Sequence, residues 1–161
     1  MINQLCCDIV SILVITNNGY KYIRTENLVF THDSDDDNSR KYILIVDSEL
    51  DLLNLMQRML LVHGFKLCVF NDGLAALKHF SLNSKVHPMV ICDIRIRVPD
   101  MTWGEFVKQV RKINPKVKLI LTGDEEQPPS DANADAFIKK PFSLETLRSI
   151  VQEHYHQEMV S

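Results

Sequence analysis

The sequence predicts an α/β fold: a doubly wound, five-stranded parallel sheet with helices on both faces. From Lys41 onward, short apolar runs of strand type alternate with segments whose apolar residues recur at helical spacing. The runs are apolar at consecutive positions, which is typical of strands that are buried on both faces. Alternation of such strands with helices predicts a parallel sheet that is covered on both sides.

Five segments are predicted to be strands because they combine β-branched, aromatic and other apolar residues over four or five positions. They span residues 42–46, 66–70, 89–92, 117–121 and 136–139. The first predicted helix follows the first strand. Its apolar residues recur at helical spacing from Leu52 to Val62, and Gly64 then offers a stop.

The later helices are predicted from the same spacing and from signals at their ends. One helix covers 74–82, and another, around 105–113, ends at Asn114-Pro115 because proline disfavours helical backbone in the residue before it. Ser143 is a suitable N-cap for the last helix, which carries its apolar residues on one face.

The segment 123–135, between the last two strands, departs from this regular alternation. It contains Pro128-Pro129, which removes backbone donors and disfavours helix at Gln127. The fourth helix of the series is therefore predicted to be shortened or missing.

Residues 1–40 are predicted to be an extension before a domain that spans 41–156, with a short tail at 157–161. The polar, acidic run 33–40 is typical of a solvated linker. Upstream of it, Asn18-Gly19 between two β-rich runs predicts a β-hairpin. Two interpretations of the extension stay open: a dimerising hairpin, or residues upstream of a true start at a non-AUG codon such as that of Leu28.

Composition argues against several classes of function. The chain has 161 residues, 45% of them hydrophobic, with a net charge of −3 and no Lys/Arg cluster longer than two residues. A nucleic-acid binder normally has a basic face, so direct nucleic-acid binding is not expected. The longest apolar stretch is far shorter than the roughly 20 residues of a membrane helix, and it lacks the features of a signal peptide. A cytoplasmic protein without a membrane span is predicted.

The cysteines and histidines show no metal-binding spacing. Cys68 and Cys92 lie inside apolar runs and Cys6-Cys7 are adjacent, so all four are interpreted as small hydrophobic residues in a reducing compartment. His63 and His79 lie near helix ends and are predicted to have no partners.

Polar residues of different chemical kinds end four of the strands. Asp47 follows the first strand, Asp93 the third and Thr122 the fourth, and the fifth leads into Lys139-Lys140-Pro141. Because the carboxyl ends of parallel strands meet at one edge of a sheet, we expect these side chains to share a crevice. Each could be a simple turn residue by itself, but their joint occurrence favours a site.

Two carboxylates in a partly buried crevice repel each other unless a cation neutralises them. Oxygen ligands favour Mg²⁺, which typically combines one or two carboxylates with water and phosphate oxygens. An aspartate can also be the nucleophile toward a phosphoryl donor, and Mg²⁺, a lysine and a hydroxyl would then stabilise the charge of the transition state. The crevice therefore predicts phosphoryl chemistry with Mg²⁺ as cofactor.

Four short motifs stand in order at the ends of alternating strands. They are Val46-Asp47-Ser48-Glu49, Cys92-Asp93-Ile94-Arg95 with Pro99 and Met101 downstream, Thr122-Gly123, and Phe137-Ile138-Lys139-Lys140-Pro141-Phe142. In this order they resemble the receiver domain of two-component response regulators, over residues 41 to about 155. The resemblance implies a flavodoxin-like receiver fold.

The resemblance implies that Asp93 is phosphorylated and that Asp47, Asp93 and the backbone carbonyl of Arg95 contribute to the magnesium site. The family usually has two adjacent acids after the first strand, whereas the second position is Ser48 here. We expect Glu49 to substitute for that acid as a weaker ligand, either directly or through water.

The resemblance also implies that Lys140 pairs with the phosphoryl group, that Thr122 moves to bond it, and that Phe137 swings inward when this happens. It implies a cis peptide bond at Lys140-Pro141. The loop after Asp93 is two residues longer than in the usual family pattern, so the loop over the phosphorylation site is expected to differ from that of other receivers.

We predict a phosphorylation-dependent signalling switch that accepts a phosphoryl group on Asp93 from a histidine kinase or phosphotransfer protein. It is not expected to be an enzyme beyond assisting its own phosphoryl transfer and dephosphorylation. No DNA-binding or enzyme domain follows the last helix, so a stand-alone receiver that signals to a downstream protein target is expected.

An alternative is a pseudo-receiver that binds partner proteins without phosphorylation, motivated by Ser48 and the missing fourth helix. A phosphatase of the aspartyl-nucleophile type is disfavoured. Such an enzyme would need an acid two residues after the nucleophile, where Arg95 stands.

Overall fold

A computed structural model of the protein describes residues 11–16, 19–24, 41–128 and 132–159, with side chains in 41–128 and 132–155. Within these residues one sheet is formed by β1 (Ser11–Thr16), β2 (Gly19–Arg24), β3 (Ile43–Val46), β4 (Leu67–Phe70), β5 (Met89–Asp93), β6 (Lys118–Gly123) and β7 (Ala136–Lys139). The helices are α1 (Leu50–Val62), α2 (Gly73–Asn83), α3 (Trp103–Ile113) and α4 (Leu144–Met159), and a 3₁₀ turn (Ser84–Val86) follows α2. None of these described helices is long and apolar enough to cross a membrane.

The strand order is β2-β1-β4-β3-β5-β6-β7. All neighbours from β4 to β7 pair in parallel, so these five strands are the predicted doubly wound sheet, in the order of flavodoxin-like folds. β1 and β2 pair antiparallel, which confirms the predicted hairpin, and β1 lies parallel to β4. The sheet therefore has two strands more than predicted, because the hairpin adds to the β4 edge. The predicted linker at 33–40 lies outside the described residues.

Both faces of the central strands are buried. On one face, Leu44 packs in a cluster with Phe106 of α3, and on the other, Ile45 packs in a cluster with Leu147 of α4. All four residues of β3 have an exposed fraction of 1% or less. Burial on both faces explains why the strands are apolar at consecutive positions.

The ends of the helices agree with their sequence signals. Gly64 follows α1 with a φ of +84°, a left-handed conformation that glycine adopts without strain. α3 begins two residues earlier than predicted because Thr102 and Glu105 form a capping box. The hydroxyl of Ser143 accepts the N–H of Thr146 at 3.0 Å, which confirms the predicted cap of α4. α4 itself runs three residues beyond the predicted domain end at 156.

No helix lies between β6 and β7 in the described residues 124–128 and 132–135, as predicted. Arg111 of α3 holds this segment instead. Its guanidinium donates to the carbonyl oxygen of Asn133 at 3.0 Å and pairs with Asp135 at 2.7 Å. Asp135 also accepts the backbone N–H of Leu119 at 2.7 Å. These contacts fix the segment against β6 without a helix.

The prediction that two histidines lack partners is wrong. Nδ1 of His63 lies 2.8 Å from the carbonyl oxygen of Met59, one helical turn earlier. Nε2 of His79 lies 2.9 Å from Nε2 of His87, which precedes β5 and is fully buried. Folding brings this second pair together from different elements, so local spacing could not indicate it.

Candidate functional site

The structure brings the four polar strand ends to one edge of the sheet. Asp47 follows β3 and Asp93 ends β5, with exposed fractions of 0% and 1%. Thr122 lies beside Asp93 in the register between β5 and β6 and is equally buried. Lys140 follows β7 directly. This edge is the site, and the buried strands behind it fix the positions of its side chains.

Lys140 connects the acids of the site. Its Nζ lies 2.8 Å from Asp47 Oδ2, 2.8 Å from Asp93 Oδ2 and 3.1 Å from Glu49 Oε1. The side chain is only 7% exposed. Its backbone N–H donates to the carbonyl oxygen of Gly123, and the following peptide bond, to Pro141, is cis as expected. One buried ammonium thus contacts three carboxylates.

Both aspartates are oriented by the turns that follow their strands. Asp47 Oδ1 accepts the backbone N–H of Glu49 at 2.8 Å, and Asp93 Oδ1 accepts that of Arg95 at 2.9 Å. A short acidic side chain can bond the backbone two residues ahead, which stabilises such a turn. Each aspartate uses one oxygen for its turn and directs the other toward the Nζ of Lys140.

Burial and charge have opposing effects in this site. Burial raises the pKa of Asp47 above its ordinary value, because desolvation outweighs the hydrogen bonds from Lys140 and from the N–H of Glu49. Burial alone would lower the pKa of Lys140, but the hydrogen bonds to Asp47 and Asp93 outweigh it and raise that pKa. The lysine therefore stays charged, and the acids around it favour further positive charge.

The acidic side chains fit a magnesium ion. Carboxylate oxygens of Asp47, Glu49 and Asp93 lie within 4.8 Å of one another. Mg²⁺ prefers such oxygen ligands and usually keeps several waters. The side chain of Glu49 is 51% exposed, so it reaches the cluster from the solvent side. Glu49 thus places a carboxylate in the cluster, which Ser48 cannot do.

Sequence reasoning missed an ion pair across the mouth of the site. The guanidinium of Arg95 lies 2.7 Å from Glu49 and 2.6 Å from Asp124, whereas only its backbone carbonyl was expected to take part. All three residues line the cleft above Lys140. Asp124 directly follows β6, and this position after a strand end is the signal that could have identified it.

Phe137 lies in β7, opposite Leu121 in the register with β6. Its ring is half-buried and packs against the core cluster under α2 and α3. Leu121 directly precedes Thr122, so the two residues predicted to move lie on neighbouring strands near the site.

The longer loop after Asp93 packs onto the start of α2. Ile96 and Val98 are each 5% exposed, and Val98 forms an isolated bridge with Met101. Asp100 has a φ of +57°, a left-handed conformation that aspartate tolerates better than most residues. A Cβ at Gly73 would lie 2.5 Å from a methyl carbon of Val98. A side chain at residue 73 would therefore force the loop or Val98 to shift.

The comparisons with known proteins agree with this geometry. The profile of the response regulator receiver domain matches residues 43–152, more than half of the chain. The chain belongs to this family. The receiver domain is similar to the transcriptional regulatory protein TrcR of Mycobacterium tuberculosis, with 31% identity over 131 residues that cover 76% of this chain and 49% of the relative.

A second curated relative is the transcriptional regulatory protein ZraR of Klebsiella oxytoca, with 30% identity over 79 residues, 49% of this chain and 17% of the relative. The chain thus spans about half or less of the length of these relatives.

Solved structures confirm the receiver fold. The CheY-like response regulator receiver domain protein of Methanospirillum hungatei JF-1 has a TM-score of 0.63 at 25% identity, covering 76% of this chain and 100% of that one. The chemotaxis response regulator CheY4 of Vibrio cholerae also has a TM-score of 0.63, at 24% identity, covering 72% and 99%. The second similarity concerns the fold alone.

Proposed function

We propose that this receiver domain is a phosphorylation-dependent signalling switch of a two-component phosphorelay, with Asp93 as the phosphoacceptor. The position of Asp93 carries the proposal: its carboxylate ends a central strand, 2.8 Å from the Nζ of Lys140 and beside Thr122. An oxygen of Asp93 would form a P–O bond while the P–N bond to a histidine of the donor breaks. The histidine nitrogen leaves with the electron pair.

The donor in this proposal is a histidine kinase or a phosphotransfer protein. Lys140, which now contacts Asp93, would pair with the phosphoryl oxygens because its charge is retained. Thr122 would then donate its hydroxyl to the phosphoryl group, and Phe137 on the neighbouring strand would turn inward. The added negative charge is what changes these contacts.

We assign a magnesium site to the carboxylates of Asp47, Glu49 and Asp93 and to the carbonyl of Arg95. When bound, the ion supplies positive charge that offsets the carboxylates and the incoming phosphoryl oxygens. Glu49 also pairs with Arg95 and Lys140, so metal ligation and these ion pairs compete for one carboxylate.

We propose that the signal passes to a downstream protein target and not directly to nucleic acid, because the net charge is −3 and no Lys/Arg cluster in the sequence is longer than two residues. In this proposal the domain assists only its own phosphorylation and dephosphorylation, and it does not act as an enzyme on other molecules. We propose that this exchange takes place in the cytoplasm.

A second candidate function is a pseudo-receiver that binds its partner without phosphorylation. Two observations favour it: Ser48 lacks a carboxylate, and Glu49, its substitute, is already paired with Arg95 at 2.7 Å. If these pairs outcompete the metal, Asp93 would not be phosphorylated at a useful rate.

Intact-protein mass after incubation with acetyl phosphate, with and without Mg²⁺, distinguishes the two functions. The switch predicts a Mg²⁺-dependent gain of one phosphoryl group in the wild type and in Asp51→Asn, a control at an exposed acid of α1. Asp93→Asn is expected to abolish the gain. If the wild type gains no mass under conditions that label an ordinary receiver, the pseudo-receiver is the better description.

A further inference from the structure

A second group of metal-ligating side chains lies at the end of the sheet opposite Asp93. Cys68 lies near the start of β4, His79 near the end of α2, and His87 just before β5. Their sulfur and ring-nitrogen ligand atoms lie within 4.8 Å of one another. Among the described side chains, only this Cys–His–His cluster and the acidic cluster of the site bring three such groups so close.

We propose that the Cys–His–His cluster binds Zn²⁺ or a similar divalent transition-metal ion. A thiolate and two imidazoles are ligands that zinc prefers, whereas Mg²⁺ prefers oxygen. The two clusters therefore select different metals. Three protein ligands leave a fourth position of the tetrahedron for water or another ligand, as in zinc sites that keep an open position.

His87 is already oriented as a ligand. Its Nδ1 lies 3.0 Å from the carbonyl oxygen of Tyr42. A carbonyl oxygen can only accept, so Nδ1 carries the proton and Nε2 keeps a free lone pair. Metal-bound histidines usually donate their other ring N–H in this way, which fixes the tautomer and the ring. The ring is fully buried and packs against Phe80, with centroids 6.2 Å apart.

The two histidines face each other with their Nε2 atoms 2.9 Å apart. Since Nε2 of His87 has no proton, Nε2 of His79 donates to it when no metal is bound. Two nitrogens on a tetrahedral zinc ion lie about 3.3 Å apart, from a Zn–N distance of about 2.05 Å. The two nitrogens would thus need to move apart by only about 0.4 Å to bind one zinc ion together instead of forming a hydrogen bond. His79 would move its proton to Nδ1, and Cys68 would release its thiol proton to solvent.

Without a metal, the same cluster would be a hydrogen-bonded histidine pair beside a core cysteine. Cobalt distinguishes the two cases, because a thiolate bound to Co²⁺ has a charge-transfer absorption band that oxygen ligands do not produce. We would titrate Co²⁺ into the full chain carrying Cys6→Ser and Cys7→Ser, with excess Mg²⁺ to occupy the acidic cluster. Cys92→Ala is the matched cysteine control, since Cys92 lies in β5 outside the Cys–His–His cluster.

The proposal predicts the band in this background and in the Cys92→Ala control, its loss in Cys68→Ser, and displacement of cobalt by Zn²⁺. His79→Gln is expected to weaken cobalt binding at least about 100-fold, because loss of even an outer partner costs 10–100-fold. Two results would overturn the proposal. One is a folded Cys6→Ser, Cys7→Ser protein that shows no Co²⁺–thiolate band, and the other is a band that persists after Cys68→Ser.

A measurement on the wild type covers the case in which Cys68→Ser does not fold. Alkylation of Cys68 by iodoacetamide, followed by peptide mass, is expected to slow at least about tenfold when Zn²⁺ is added, because a metal-bound thiolate is a poor nucleophile. His79→Gln is expected to lose this protection. Equal alkylation rates with and without Zn²⁺ in the wild type would also overturn the proposal.

Discussion

The Nζ atom of Lys140 lies 2.8 Å from a carboxylate oxygen of Asp93, a residue 47 positions earlier in the chain. The same atom lies 2.8 Å from a carboxylate oxygen of Asp47. Both aspartates are almost completely buried, so water does little to screen their repulsion. The site carries more negative than positive charge, so we expect its stability to depend on this lysine.

Lys140→Met is expected to lower the free energy of unfolding at pH 7 by about 3 kcal/mol, because removal of one partner leaves buried charge uncompensated. Urea unfolding measures this loss. Lys139→Met is the matched control: the Lys139 side chain is 46% exposed and pairs with the exposed Glu126, so its loss is expected to cost less than about 0.5 kcal/mol. Equal losses in the two variants would show that Lys140 does not balance the aspartates.

Glu49→Gln is expected to weaken Mg²⁺ binding roughly tenfold, since it removes one negative charge from the carboxylates that would hold the divalent ion. Ser48→Asp is expected to strengthen binding by a similar factor, because it supplies the second acid that the family usually has. Isothermal titration calorimetry measures both. Unchanged affinity in Glu49→Gln would exclude Glu49 as a ligand.

Stability is expected to fall as the pH falls from 7 to 4 because of His87. Burial, with a contribution from the neighbouring His79, lowers the pKa of His87 from 6.5 to about 4. Between these values the unfolded chain holds a proton that the folded chain lacks, so the stabilisation is complete above pH 6.5 and is lost toward pH 4. The loss is on the order of 3 kcal/mol.

Urea unfolding at several pH values, with a chelator present, measures this dependence on pH. His87→Gln is expected to flatten it, whereas the control His63→Gln is expected to keep the slope of the wild type. An equally steep dependence in His87→Gln would assign the effect to other groups.

Arg111→Lys is expected to lower the free energy of unfolding by about 2 kcal/mol. The planar guanidinium of Arg111 donates to both the carbonyl oxygen of Asn133 and the carboxylate of Asp135, which a lysine ammonium cannot do with the same geometry. Hydrogen bonds to charged partners contribute about 1.5–3 kcal/mol. Amide hydrogen exchange at Leu119 is expected to accelerate as Asp135 loosens. Arg148→Lys, in an exposed pair with Glu145, serves as control and is expected to change little.

Gly73→Ala is expected to destabilise the domain by about 1–3 kcal/mol, because its methyl group would meet Val98 at 2.5 Å and the carbonyl oxygen of Arg97 at 3.2 Å. Val98→Ala in the same chain is expected to relieve part of this cost. A double-mutant cycle measures the coupling between the two positions. Additive effects would show that the loop is not in contact with residue 73.

Much of the fold could be predicted because the signals are local. Each strand is apolar at consecutive positions, and Gly64 and Ser143 mark helix ends through their own backbone and side-chain chemistry. The convergence of Asp47 and Asp93 was also predictable, because parallel strands fix where their carboxyl ends meet.

What could not be predicted depends on long side chains and on contacts between distant elements. Arg95 reaches both Glu49 and Asp124, and neighbours in sequence do not determine which partners a flexible guanidinium selects. His79 lies in α2 and His87 lies just before β5, so their contact depends on how these two elements pack in the folded domain. The sequence was therefore sufficient to predict the acids of the site, whereas the ion pairs that they form could be identified only from the structure.

The close approach of Val98 to Gly73 also ties the loop after Asp93 to the first turn of α2. The methyl group of Val98 lies only 2.5 Å from where a Cβ at residue 73 would stand. The backbone of α2 therefore limits which side chains this loop can carry at position 98, and the loop in turn favours the smallest residue at the start of α2.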